Sequence, residues 1–87
     1  MLKDIVAVEA LPNFRLRLRF EDGVAGEIAM PVAFEGVFAP LRDPEMFAQA
    51  RVNPEYGTVV WPNGADLDPD VLHGLVTGQP ARVREKV

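Results

Sequence analysis

Asp66, Asp68 and Asp70 recur at every second position, the spacing with which oxygen ligands open a calcium-binding loop. The rest of such a loop is missing. Counted from Asp66, the sixth and twelfth positions hold Val71 and Thr77, where the loop needs a glycine and a bidentate glutamate. With Asp43 and the single histidine, His73, these carboxylates would be the parts of a small metal-dependent hydrolase using a hard cation. A simpler role accounts for the same residues. Asp43-Pro44-Glu45 and Asp68-Pro69-Asp70 both read as helix starts, in which the aspartate accepts from free backbone N–H groups and proline sits where no donor is needed.

Other chemistries lack their residues. There is no cysteine for a thiolate metal site, and no serine for a hydrolase nucleophile; Thr58, Thr77 and Tyr56 are the remaining hydroxyls. The glycines are scattered and form neither a phosphate loop nor a dinucleotide fingerprint. No catalytic residue, metal ligand or cofactor is therefore assigned.

Two features suit contact with a macromolecule. Arg15, Arg17 and Arg19 alternate along one segment, forming a stripe that would meet phosphates or a partner's carboxylates. The acidic net charge of −4 opposes direct binding of nucleic acid, which is expected only through a partner. Trp61-Pro62-Asn63-Gly64 leads a large aromatic into a tight turn. Trp61 serves either as a core anchor or, with Tyr56 and Asn63, as a contact surface.

The elements that must position these residues follow from periodicity. Phe14 to Phe20 alternates strictly between apolar and charged residues, the pattern of a strand with one dry face. Asp4 to Ala10 precedes it as a strand, with turn chemistry at Leu11-Pro12-Asn13. Val24 to Met30 follows across a three-residue turn with Gly23 in the left-handed region. That register pairs Phe20 with Val24, Leu18 with Gly26, Leu16 with Ile28 and Phe14 with Met30, and sets Arg17 opposite Glu27. A two-residue turn would put Glu27 among the core residues.

Beyond Pro31, the segment from Val32 to Leu41 reads as irregular or briefly helical, with Phe34, Val37, Phe38 and Leu41 expected in the core. A helix then runs from Asp43 to Gln49. Ala50 to Val52 and Thr58 to Trp61 form a second hairpin, and a second helix opens at Asp68 and stops at Gly78. The expected fold is α+β, a mainly antiparallel sheet of about five strands in two hairpin regions covered by two short helices. Residues 1–78 make one domain, and 79–87, of mixed charge and no clear period, a mobile tail.

At 87 residues, 48% of them hydrophobic and 25% charged, the chain suits one core. Charges within Met1 to Ala10 break the apolar run of a signal peptide, and no run approaches the ~20 residues of a membrane span. With no cysteine, a cytoplasmic location is expected.

The segments Leu16 to Phe20 with Asp22-Gly23, Phe38 to Asp43, and Gly57 to Asp68 together resemble domain of unknown function family 2442. The resemblance covers nearly the whole chain, and Gly57 to Leu72 is its specific part. It implies a small bacterial α+β domain without established enzymatic activity. Some similar proteins carry a helix-turn-helix domain after this module, and others stand beside another small protein in an arrangement resembling toxin and antitoxin pairs. Fewer than a dozen residues follow Gly78 here, too few for a helix pair that binds DNA. The expected function is a non-enzymatic interaction or accessory regulatory module. Its partner would be another small protein, or a second copy covering a sheet edge.

Overall fold

The computed structural model describes residues 3–78. The expected mobile tail at 79–87 lies outside them. Six strands form two antiparallel sheets of three. β1 (Ile5–Leu11), β2 (Arg15–Phe20) and β3 (Ala25–Ala29) make the first, in that order, and β4 (Arg51–Asn53), β5 (Thr58–Val60) and β6 (Asp66–Leu67) make the second. Between them lie a 3₁₀ turn, Gly36–Arg42, and the single-turn helix α1, Pro44–Phe47; α2, Pro69–Thr77, closes the described chain. The fold is α+β, with antiparallel sheets and short helices, as the periodicity predicts. The sixth strand was not expected, because two residues carry no period.

The alternation in β2 fixes the first sheet. Leu16, Leu18 and Phe20 are buried while Arg15, Arg17 and Arg19 are exposed. β3 pairs in the expected register, with Leu16 opposite Ile28, Arg17 opposite Glu27 and Leu18 opposite Gly26. The Phe20 N–H donates to the Val24 carbonyl (2.8 Å) and the Met30 N–H to the Phe14 carbonyl (2.9 Å), which carries the pairing to both ends. Gly23, at φ 91°, takes the left-handed conformation that the three-residue turn demands.

The β1–β2 turn is less ordinary, since Asn13 (φ 64°) and Phe14 (φ 57°) are both left-handed without being glycine. Asparagine tolerates this; phenylalanine is strained there. Its ring compensates through edge-on contacts with Phe34 and Phe47, at centroid distances of 5.1 and 5.3 Å.

The two sheets meet where the Ile5 N–H donates to the Gly57 carbonyl (2.9 Å). Gly57 has φ 68°, and a Cβ there would collide with the Asp4 side chain, so only glycine fits. α2 crosses the dry face of the first sheet at Gly26, where an added Cβ would fall 2.7 Å from Val76 Cγ1. Both α-helices start as expected: the Asp43 carboxylate accepts from the Glu45 N–H (2.9 Å), and Asp68 from the Asp70 N–H (2.7 Å). Gly78, at φ 75°, ends α2.

The core joins Ile5, Leu16, Leu18, Phe20, Leu41 and Leu72 with Val59 and Trp61. One core expectation fails. Val37 is 48% exposed, because the 3₁₀ turn buries Leu41 and half-buries Phe38 while aiming Val37 outward. α1 is also shorter than expected, ending at Phe47.

Candidate functional site

The residues singled out from the sequence do not converge on one site. Trp61 is a core anchor, only 3% exposed, and its indole N–H donates to the Phe47 carbonyl (3.0 Å). An exposed indole edge beside Tyr56 is thereby ruled out, although Tyr56 itself stands 65% exposed in the β4–β5 turn. Asn63 uses its amide structurally: the Nδ2 group donates to the Val37 carbonyl (2.8 Å), and Oδ1 accepts from the Ala65 N–H (3.2 Å). This brackets the Trp61 turn to the 3₁₀ segment.

The arginine stripe is partly neutralised. Arg17 donates to Glu9 on β1 (2.9 Å) and to Glu27 on β3 (3.1 Å); the hydrogen bond to Glu27, with the charges of both carboxylates, raises its pKa further. Arg15 lies 3.9 Å from Glu27, and Arg19 makes no ion pair among the described residues, lying between Ala7 and Ala25.

His73 has a partner that sequence spacing did not disclose. Its Nε2 shares a hydrogen bond of 2.8 Å with Asp22 Oδ2, 51 residues away, and its ring packs edge-on against Phe20. Asp22 also accepts from the Val24 N–H (3.0 Å), and this bond first, then that to His73, holds its carboxyl below the ordinary carboxylate range. The pair fastens the β2–β3 turn to α2. Among the described residues no three carboxylate or imidazole groups are arranged to hold a metal.

The outer edge of β3 is open among the described residues. Since Val24 and Met30 bond to β2, alternation directs the N–H and C=O groups of Gly26 and Ile28 to the same side, leaving those of Ala25, Glu27 and Ala29 pointing away from the sheet. All three residues are exposed, and no described strand pairs with them. A groove of about 760 Å³ runs beside this edge. Ile28 and Met30 form one wall, Val71 and Leu75 of α2 another, and Phe38 and Leu67 the rest of its apolar lining. Glu27 and Ala29 also line it, so the groove meets both faces of β3 and follows the edge itself. Val71 and Leu75 are 58% and 43% exposed, an unusual display on a helix whose Leu72 is fully buried. Asp66 and Asp68 stand on the groove, and neither has a cationic partner among the described residues.

Nothing in the sequence singles out Val71 and Leu75, because apolar residues at helical spacing look alike whether they face a core or a groove. No helix among the described residues is long and apolar enough to cross a membrane. Neither a curated protein nor a solved structure matches the chain. The family model described as Protein of unknown function (DUF2442) matches residues 5–78, from the first residue of β1 to the glycine that caps α2, and the chain belongs to that family.

Proposed function

We propose that the chain is a non-enzymatic protein-interaction module, an accessory or regulatory subunit of the cytoplasm, which takes an extended segment of another small protein onto the free edge of β3. The observation that carries this is that the backbone groups of Ala25, Glu27 and Ala29, unpaired among the described residues, lie along the same edge as an apolar groove. Strand addition draws affinity from main-chain hydrogen bonds and specificity from pockets for alternate side chains, and outward-pointing backbone groups beside an apolar groove support that mode. Of the residues first considered for contact, Arg15 lines this groove; Tyr56 and Arg19 belong to other exposed places.

Two other functions have less support. A hydrolase built on Asp66, Asp68 and Asp70 would want His73 beside them, whereas His73 faces Asp22. Direct nucleic-acid binding through the stripe is opposed by Glu9 and Glu27, which occupy its central arginine.

Ala29→Pro tests the proposal. Proline deletes an N–H that points away from the sheet, so the β2–β3 ladder stays intact. In affinity purification from the native host, the wild-type chain should retain a partner that A29P loses at an unchanged melting temperature. Equal retention by A29P would move the contact to another surface, and recovery of no protein besides copies of the chain would refute a separate partner.

A further inference from the structure

The groove beside β3 also constrains the strand that would lie in it. Its walls are apolar on the side of Ile28, Met30, Val71 and Leu75, so an added strand gains by presenting apolar residues there at every second position. Its charged groups are unequal. Arg15 and Glu27 lie 3.9 Å apart and largely offset one another, and Glu27 is further held by Arg17. Asp66 and Asp68 have no such compensation among the described residues. Asp68 caps α2 through Oδ1, a bond that leaves its charge in place.

From this asymmetry we infer that the β3 groove selects a basic extended segment, apolar at alternate positions, with a lysine or arginine whose head meets Asp66 or Asp68. This rests on the use of the β3 edge proposed above. The long stem of such a residue lies on the apolar wall while its head stays at the wet margin. The net charge of −4 steers the same class of segment toward the protein, and it disfavours a second copy as occupant. Self-pairing centred on β3 would set Glu27 against its own copy, a like-charge cross-strand pair.

The probes are short capped peptides alternating valine with threonine and carrying lysine in place of one terminal valine, the same peptides with glutamate for lysine, and the lysine peptide N-methylated at alternate residues. Binding is measured by calorimetry at low and high salt, with amide shift mapping. The lysine peptide is expected to bind and shift the amides of Ala25, Glu27 and Ala29, to weaken severalfold in high salt, and to fail when N-methylated. Asp66→Asn and Asp68→Asn should each weaken it a fewfold; asparagine preserves the cap at position 68, so folding is not the cause. Equal binding of the glutamate peptide would overturn the charge selection while leaving the β3 edge as the docking site. Shifts lying wholly away from β3, no binding by any peptide, or a concentration-dependent dimer burying the edge would overturn both.

Discussion

Single residues here do structural work that their types only half disclose. Asp22 is the clearest case. Its carboxyl is held below the ordinary value near 4 by the Val24 N–H and His73, so its contribution to stability is fully present above that value. The contribution is lost as the pH falls through the lowered pKa. Asp22→Asn keeps the acceptor for Val24 and removes the charge; it should lower the melting temperature at neutral pH, and the difference from wild type should vanish in strong acid. Trp61→Phe deletes the indole donor to the Phe47 carbonyl and leaves a gap in a full core, at a cost of about 2 kcal/mol, read from urea unfolding. Capping at Asp43 and Asp68 was legible in the sequence because an Asp-Pro-acid run states its own chemistry. The Asp22–His73 bond was not, because nothing local couples residues 51 apart in the chain.

At the scale of elements, β2 was legible and its neighbours followed from it. Strict alternation set the dry face, and keeping Glu27 out of that face chose the three-residue turn that the structure contains. β6 and the outward turn of Val37 escaped, since a two-residue strand has no period and a 3₁₀ turn does not follow helical spacing. The crossing of α2 over β3 depends on Gly26. Gly26→Ala should cost about 1–3 kcal/mol, because Val76 is stiff at χ1 in a helix and gives way only if α2 shifts. Ala29→Pro, on the free side of the same strand, should change stability by no more than about 0.5 kcal/mol in the same unfolding measurement. Such unequal responses within one strand would separate the face of β3 that builds the fold from its outer edge.

For the whole molecule, the edge and its groove were only partly legible. An antiparallel sheet in a short chain has edges to cover, which the sequence announces. Which edge stays bare depends on where α2, the 3₁₀ turn and β6 come to rest, and those placements are tertiary. The apolar residues of α2 divide accordingly, with Leu72 sealing the core and Val71 and Leu75 facing the groove. Residue-resolved amide hydrogen exchange puts the central claim to its most direct test. In the isolated chain the amides of Ala25, Glu27 and Ala29 should exchange rapidly while those of Gly26 and Ile28 are protected, and all five should be protected once a partner binds. Slow exchange at Ala25, Glu27 and Ala29 in the isolated monomer, or no added protection there in a complex, would contradict an open strand edge as the docking site.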